Sequence, residues 1–489
     1  MMNWKMWQKC VGKMGKKLPI FLFIFILLYV IGSLICYPLL TKRHVLKQKE
    51  KYAEQAAKES VDRSASVCCL DDNTQALVYR LALIESAQRE LIMTTFDMSD
   101  GESGQDLMAA MLQAADRGVR IRLMVDGINA WLKLEKSDLF GAFSTHPNIE
   151  IRFYNPIRLT KLWKLNYRMH DKYLIADDTA YILGGRNSNN LFLGAYRDTY
   201  NIDRDLYVLE RTEKNASDVM QKKERNSLQD IKAYFEKIWV QPDQKIFRKK
   251  ETEKTKEGLA LLREHYKELQ TAYPEVFSET ETLLTQDLIR VDSIQFLHNP
   301  LYADEKVPVV YQRICQEMEQ GETILIQTPY IICDKGMYQD LSELCRAGKQ
   351  IEIITNAVES GANPWGCTDY LNERKSILKT GAGVYACMAG QSLHTKTVLI
   401  DDETSIVGSY NLDLRSTYLD TELMLLVKSK ELNKQLRDQA AAYQEKSAYE
   451  KAGKPSRTGS LYEKKEMSGM QKVIYSILRI LIRPIREVL

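Results

Sequence analysis

Short apolar runs alternate with helix-like segments along most of the chain, and the same order occurs twice. The first round has a helix, a strand, a helix and two strands near residues 74–89, 90–96, 105–117, 119–126 and 149–154. The second round repeats that order near residues 307–320, 322–328, 336–347, 350–355 and 383–387. Short apolar runs between helical segments are typical of buried strands. The pattern predicts two α/β units, each with a largely parallel sheet covered by helices.

The positions of two glycines support a duplication. Gly118 and Gly348 end matching helices, and Asp126 and Asn356 each lie eight residues later (126 − 118 = 8; 356 − 348 = 8). Residues 213–290 between the two rounds are rich in Lys and Glu, as in KKETEKTKEGLALLREHYKEL. This composition predicts a solvated helical connector without a catalytic role. We expect the two units to face each other across a pseudo-twofold axis.

One apolar segment near the N-terminus is long enough to cross a bilayer. Residues 18–40 carry no charge over 23 positions (40 − 18 + 1 = 23), and such a helix covers a hydrocarbon core of about 30 Å. A cleaved signal peptide is the alternative, but the stretch exceeds a usual signal core and no small-x-small site precedes Lys42 and Arg43. We predict an uncleaved transmembrane helix. Lysines and arginines lie on both sides of it, so the positive-inside rule does not choose its orientation.

The predicted domains follow from these segments. They are a basic tail, the transmembrane helix, a charged stalk, a first unit, the connector, a second unit and a C-terminal tail at residues 1–17, 18–40, 41–70, 71–212, 213–290, 291–446 and 447–489. In the last of these, Val473, Ile474, Ile477, Leu478, Leu481 and Ile482 recur at helical spacing beside basic residues. Such a helix either lies in the lipid headgroup layer or docks on the catalytic unit, and both interpretations remain open.

Composition excludes little, because it is ordinary for a globular protein. Of 489 residues, 45% are hydrophobic and 27% are charged. A net charge of +3 is too small to indicate a nucleic-acid binder by itself. The nine cysteines are odd in number and form no paired Cys-x-x-Cys spacing, which favours free thiols in a reducing compartment. No acidic or Cys/His cluster has metal-ligand spacing, so we predict neither a metal nor a cofactor.

The pattern His-x-Lys-x-x-x-x-Asp occurs once in each unit, followed by an apolar strand and a Gly-x-x-Asn turn. The His-to-Asn spacing is equal in the two copies (187 − 170 = 17; 411 − 394 = 17). One copy would be a weak signal, whereas two copies on matching strands are specific. The copies consist of His170, Lys172, Asp177 and Asn187, and of His394, Lys396, Asp401 and Asn411.

This residue set suits displacement at a phosphodiester phosphorus. One imidazole can attack while the other protonates the leaving oxygen, and the Lys and Asn side chains can hold the phosphoryl oxygens. The alternative is that both histidines are hydrogen-bonded core residues. That alternative explains neither the pairing nor the placement of His and Lys two residues apart, on one face of a strand.

These motifs resemble those of the phospholipase D superfamily over about residues 71–212 and 291–446. MHDKYLIADDTAYILGGRN (169–187), TPYI (328–331) and SLHTKTVLIDDETSIVGSYNLDLRSTYLDTE (392–422) look like the bacterial cardiolipin synthase subfamily. The resemblance implies two tandem phospholipase D-like α/β/α domains in a pseudo-twofold pair, behind an N-terminal transmembrane helix. It also implies phospholipid substrates and a bacterial cell membrane, with the catalytic domains on the cytoplasmic side by family analogy.

The resemblance also implies roles for single residues. His170 would be the nucleophile that forms a phosphohistidine, and His394 the general acid and then base. The phosphoryl group would be bound by Lys172, Lys396, Asn187, Asn411 and Ser409. Asp177 and Asp401 would orient their own loops. Glu422 would bond a histidine ring nitrogen, and its counterpart in the first half falls within Asp203-Arg204-Asp205, where we expect Asp205.

The leading hypothesis is cardiolipin synthesis, the transfer of a phosphatidyl group to phosphatidylglycerol. The donor lipid is open between phosphatidylglycerol and phosphatidylethanolamine. Hydrolysis by water would instead make the protein a phospholipase, and exclusion of water at a membrane favours transfer. A membrane-anchored nuclease is disfavoured because neither unit has an interleaved run of Arg and aromatic residues. Both motifs are intact, which argues against an inactive scaffold.

Overall fold

The protein folds into two nine-stranded sheets that stack on each other, behind one long apolar helix. The structure, a computed structural model, describes residues 20–47, 65–210, 226–302 and 305–489. The predicted basic tail at 1–17 and most of the predicted stalk lie outside the described residues.

The first sheet has the order β10-β1-β8-β6-β5-β2-β3-β4-β9. Its strands, with the short β7, are β1 (Ser66–Leu70), β2 (Glu90–Thr95), β3 (Arg120–Asp126), β4 (Ile149–Tyr154), β5 (Tyr173–Ala176), β6 (Ala180–Gly184), β7 (Asn201–Ile202), β8 (Asp205–Leu209), β9 (Lys245–Phe247) and β10 (Ile289–Arg290).

The second sheet has the order β11-β18-β17-β16-β12-β13-β14-β19-β20. Its strands, with the short β15, are β11 (Ser293–His298), β12 (Thr323–Gln327), β13 (Gln350–Asn356), β14 (Gly383–Cys387), β15 (Ser392–Leu393), β16 (Thr397–Ile400), β17 (Thr404–Gly408), β18 (Leu423–Lys428), β19 (Ser447–Glu450) and β20 (Arg457–Thr458). The two sheets confirm the predicted pair of α/β units.

Helices surround both sheets. They are α1 (Ile20–Leu46), α2 (Asn73–Ser86), α3 (Glu102–Asp116), α4 (Gly127–Lys133), α5 (Asp138–Phe143), α6 (Ser227–Trp239), α7 (Glu253–Ala272), α8 (Pro274–Ser278), α9 (Thr280–Thr285), α10 (Val309–Gln320), α11 (Lys335–Arg346), α12 (Pro364–Lys379), α13 (Leu414–Tyr418), α14 (Lys430–Gln444) and α15 (Gly469–Leu481). Side-chain caps set several starts, as Asp72 does for α2 by accepting from the amides of Thr74 and Gln75.

The expectation of largely parallel sheets is wrong. Within the described part of the two nine-stranded sheets, only β2-β3-β4 and β12-β13-β14 pair in parallel, and the strands on either side of them run antiparallel. The reason lies in the motif strands. β5 returns through β6, and β16 through β17, across turns too short for a parallel crossover.

The connector between the halves is helical over much of its described residues 226–290, and one of its faces is buried. Ile231 and Phe235 of α6 are buried in the apolar layer between the two sheets, and Tyr266 of α7 packs on the first half. Tyr234 of α6 donates a 2.7 Å hydrogen bond to Asp171, the residue after His170. The Lys and Glu residues of the connector lie on its outer face. The composition of the segment therefore did not reveal the apolar inner face.

Helix α1 is apolar and long enough to cross a membrane, with a mean hydropathy of 2.7 over its most apolar window. Its N-terminal part is exposed, whereas its C-terminal part contacts the catalytic halves. Asn166 donates to the Leu34 carbonyl at 2.8 Å, and Lys42 forms ion pairs with Asp334 and Glu487, each at 2.8 Å.

Candidate active site

The two histidines lie where each half reaches across to the other. The backbone amide of His170 donates to Thr421 Oγ1 at 3.1 Å, and that of His394 donates to the Ile202 carbonyl at 2.7 Å. The second contact continues the parallel pairing of β15 with β7. Each His-Lys strand is therefore anchored by a segment of the opposite half, which brings the two predicted motifs into one site.

Each histidine ring bonds a carboxylate from the opposite half. His170 Nδ1 lies 2.9 Å from Glu422 Oε1, and His394 Nδ1 lies 2.5 Å from Asp203 Oδ2. Both carboxylates are fully buried. Donation from Nδ1–H to a carboxylate leaves Nε2 with its lone pair, the state needed for nucleophilic attack or for accepting a proton.

The predicted orienting role of Asp205 is wrong, and Asp203 takes that place. Asp205 accepts from Arg80 Nη2 at 2.9 Å and lies 3.7 Å from Arg186 Nη1, in a buried ion-pair cluster. Asp203 immediately follows β7, and the pairing of β7 with β15 brings it to His394. Sequence spacing could not show this, because the pairing joins residues 191 positions apart. Glu422 does bond a histidine, and that histidine belongs to the other half.

Two phenylalanines that sequence reasoning missed hold the imidazole rings edge-on. The ring centroids of Phe96 and His170 are 5.0 Å apart at 73°, and those of Phe192 and His394 are 5.0 Å apart at 72°. Edge-to-face packing restricts ring rotation, so each Nε2 keeps its direction. Phe96 comes from the end of β2 and Phe192 from a loop, and neither belongs to a recognisable motif.

The two lysines are buried and act on both histidines. Lys172 donates to the His170 carbonyl at 2.5 Å, and Lys396 lies 3.5 Å from Asp203 Oδ2. Burial lowers the pKa of Lys172 to about 7 and also lowers the pKa of Lys396. Burial and the positive charges of both lysines also lower the pKa of His170 and bring that of His394 to about 4. The charges of both halves therefore converge on a single site.

The two orienting carboxylates differ in charge. Burial opposes ionisation of Asp203, but Lys396 and His394 overcome it and hold its pKa below the usual range. Burial raises the pKa of Glu422 to about 8, against the opposing effects of Lys172 and Ser409. At neutral pH Asp203 is therefore ionised and Glu422 is protonated.

The asparagines of the two motifs line the site with incompletely paired amides. Within the described part of the chain, Asn187 Oδ1 and Asn411 Oδ1 are buried and have no hydrogen-bond partner. Asn411 Nδ2 lies 3.2 Å from the Tyr330 hydroxyl. Buried amides left this way have capacity for a polar ligand. The Ser409 hydroxyl is hydrogen-bonded to Glu422 Oε2.

The motif aspartates lie on the turns between the paired strands. Asp177 accepts from the backbone amides of Gln88, Arg89 and Glu90, and Asp401 accepts from those of Glu322 and Thr323. Both have left-handed backbones, with φ of 51° and 48°. Their carboxylates are therefore committed to hydrogen bonds that hold each turn against a neighbouring strand. Among the described residues, no group of three or more His, Cys, Asp or Glu could hold a metal ion.

Comparison with known proteins gives relatives over both halves. The family described as cardiolipin synthase, PLD-like domain, matches residues 81–239 and 314–443. Cardiolipin synthase C of Escherichia coli K12 is 25% identical, over 74% of this chain and 81% of its own. The major cardiolipin synthase ClsA of Bacillus subtilis 168 is 25% identical, over 73% of this chain and 64% of its own.

The fold has a counterpart among solved structures. Phosphatidylserine synthase of Haemophilus influenzae superimposes with a TM-score of 0.61 at 16% identity, covering 90% of this chain and all of the other. At that identity the likeness shows the fold alone. The family match covers more than half of the chain and includes both His-Lys motifs. The protein therefore belongs to the phospholipase D superfamily, in its cardiolipin synthase-like family.

Proposed function

We propose that the protein is a membrane-bound phosphatidyltransferase that makes cardiolipin by moving a phosphatidyl group onto phosphatidylglycerol. The observation that carries the proposal is the pair of buried imidazoles, each bonded at Nδ1 to a carboxylate of the opposite half. Two lysines whose charges reach both rings complete a site for a phosphodiester anion. The cardiolipin synthases among the relatives support the choice of lipid substrates.

The reaction has two displacements at phosphorus. His394 enters the first step as an imidazolium, stabilised by Asp203 and by the negative charge of the bound phosphodiester. His170 Nε2 attacks the donor phosphorus, the bond to the headgroup oxygen breaks, and His394 Nε2 gives that oxygen its proton. His394 then takes a proton from the hydroxyl of phosphatidylglycerol, whose oxygen attacks the phosphohistidine and releases His170. The net change exchanges one headgroup alcohol for another, and glycerol leaves when the donor is phosphatidylglycerol.

Electrostatic asymmetry supports these roles. His394 lies against the ionised Asp203, which stabilises an imidazolium, so it is the better proton carrier. His170 lies against Glu422, whose raised pKa keeps that carboxyl protonated, and burial lowers the pKa of the His170 ring and keeps it neutral. A neutral ring is the form that attacks phosphorus.

Two apolar surfaces support attachment to a bilayer. The first is the N-terminal part of α1, where Phe21, Phe23 and Phe25 are each more than 60% exposed. The second is the outer face of α15, which includes the exposed Ile480, while Tyr475 of the same helix is buried against the second half. The exposed and buried faces of the tail helix therefore support both a location in the headgroup layer and docking on the second half. An ion pair between Lys42 and Glu487 holds the end of the tail beside α1.

Replacing Ile480 by aspartate should lower kcat/KM on phosphatidylglycerol in vesicles by about tenfold. Burying a large apolar side chain in the headgroup layer contributes about 1.5–3 kcal/mol to membrane binding, and a charge at the same position removes that contribution. The same variant should keep its activity on a short-chain, monomeric phosphatidylglycerol. The matched control is Leu261→Asp on the exposed face of α7, which should change neither activity. Equal losses in vesicles and with the monomeric lipid would contradict this role for α15.

The proposed reaction is tested with the purified full-length protein in mixed micelles. With phosphatidylglycerol as the only phospholipid, we expect cardiolipin and glycerol in equal amounts. Phosphatidic acid without cardiolipin would make the protein a phospholipase. Digestion of single-stranded DNA with no lipid product would make it a nuclease.

A further inference from the structure

A cavity of about 180 Å³ with a mixed polar and apolar lining lies beside His394. Half of the ten residues that line it carry a neutral amide or hydroxyl side chain, namely Asn201, Tyr330, Asn356, Asn363 and Ser392. Among the described residues that line the cavity, none carries a carboxylate. A single water needs only about 10–15 Å³ of such space. The cavity therefore accommodates a polar molecule several times larger than water.

Charged side chains occupy the matching position beside His170. Arg168 lies two residues before His170, as Ser392 lies two residues before His394. The Arg168 guanidinium bonds Asp126 at 2.7 Å and also donates to the Asn155 and Tyr154 carbonyls. Asp126 matches Asn356 in the repeat. One half thus fills this space with a buried ion pair, and the other has short neutral side chains and leaves it open.

The open cavity adjoins the phosphoryl site. His394 itself is part of its wall, and Tyr330 connects the cavity to Asn411 through the 3.2 Å contact between its hydroxyl and the asparagine Nδ2. A molecule in the cavity therefore lies on the side of the phosphorus that faces the proposed acid and base. Ala362 is exposed at the mouth, so the cavity is open to the outside.

We propose that this cavity binds the headgroup alcohol of the lipid substrate, an uncharged polyol such as glycerol. The inference rests on the proposed transferase function. The leaving alcohol receives its proton from His394, and the attacking alcohol gives its proton to His394, so both oxygens occupy the same place in turn. The Asn356 amide is already bonded to the backbone of Pro329 and Leu393. The remaining amide and hydroxyl side chains of the lining can pair with the hydroxyls of a polyol. An ammonium headgroup would lack a carboxylate partner among the described residues that line this cavity.

The test fills the cavity and compares donors that differ only in headgroup size. Two substitutions reduce its volume: Ala362→Trp at the mouth, and Ser392→Leu on the wall beside it, where Ser392 Oγ accepts from the Ala362 amide at 3.2 Å. We expect each variant to cleave phosphatidylglycerol at least about tenfold more slowly while cleaving phosphatidylmethanol at close to the wild-type rate, because only the larger headgroup needs the filled space. Retained cleavage of phosphatidylmethanol also shows that the variant is folded. The wild type should cleave phosphatidylethanolamine more slowly than phosphatidylglycerol.

The matched control is Leu132→Trp, at the corresponding distance after Asp126 in the first half (132 − 126 = 6; 362 − 356 = 6). It should leave both activities unchanged. If the wild type makes cardiolipin but both filling variants, with normal unfolding midpoints, affect the two donors equally, the pocket assignment is wrong. If both variants unfold, the test is the rate at which the wild type exchanges labelled glycerol into phosphatidylglycerol. A rate that does not saturate with glycerol concentration contradicts the pocket. A wild type that makes no cardiolipin overturns the transferase function, and the pocket assignment with it.

Discussion

Replacing either His170 or His394 by alanine should lower the rate of phosphatidyl transfer by at least about 10³-fold. Loss of His170 removes the nucleophile, and loss of His394 removes the group that protonates the leaving oxygen, a contribution of about 10²–10⁴-fold by itself. Both rings are held by a carboxylate at Nδ1 and a phenylalanine edge, so no neighbouring side chain can take their place. The measurement is cardiolipin formation in mixed micelles at neutral pH.

The His170→Ala and His394→Ala variants should behave differently with a substrate whose leaving group needs no proton. With a p-nitrophenyl ester of phosphatidic acid, we expect His394→Ala to accumulate a phosphohistidine at His170, detected by mass spectrometry of the peptide. His170→Ala should form none. The control is His265→Ala, since His265 lies on α7 and pairs with Asp106, away from the site. Accumulation at His394 in the His170→Ala variant would reverse the two proposed roles.

The catalytic motifs were predictable because their signal is local and repeated. His and Lys two positions apart on a strand share a face, and the equal spacing to Asn187 and Asn411 identified both copies without any knowledge of the fold. The turn aspartates were predicted to orient their own loops, whereas their carboxylates bond the backbone of another segment. The Asp177 carboxylate accepts from the backbone amide of Glu90 on the adjoining strand, because the hairpin turn places it there.

Contacts between the halves could not be predicted from sequence patterns. The choice of Asp203 over Asp205 depends on the pairing of β7 with β15, two strands of two residues each that carry no periodic signal. The prediction of largely parallel strands was wrong for a related reason. A buried apolar strand looks the same in parallel and antiparallel pairing, and only the short turn at Asp177 distinguishes the two.

The Asp203→Asn substitution should lower kcat by about 10²–10³-fold, whereas Glu422→Gln should lower it less than about tenfold at pH 7. Both substitutions preserve shape and replace an ionisable carboxyl by a neutral amide. Asp203 is ionised in the native site because Lys396 and His394 lower its pKa, so the amide removes the charge that stabilises the His394 imidazolium. Glu422, with a pKa of about 8, is already protonated at pH 7, so glutamine changes little there. The measurement is the rate of cardiolipin formation at saturating phosphatidylglycerol.

The pH profile separates this explanation from simple loss of a hydrogen bond. Raising the pH through about 8 ionises Glu422 in the wild type, whereas the Glu422→Gln variant has no proton to lose at that position, so the two proteins should diverge only above that pH. The control is Asp205→Asn, which should lower the unfolding temperature because Arg80 loses its buried partner, a loss of about 3–5 kcal/mol. Equal effects of Asp203→Asn and Glu422→Gln across the pH range would show that both carboxylates act only as hydrogen-bond acceptors. Divergence confined to high pH would instead establish that the two halves, although built from one repeat, hold their histidines with carboxyl groups of different charge.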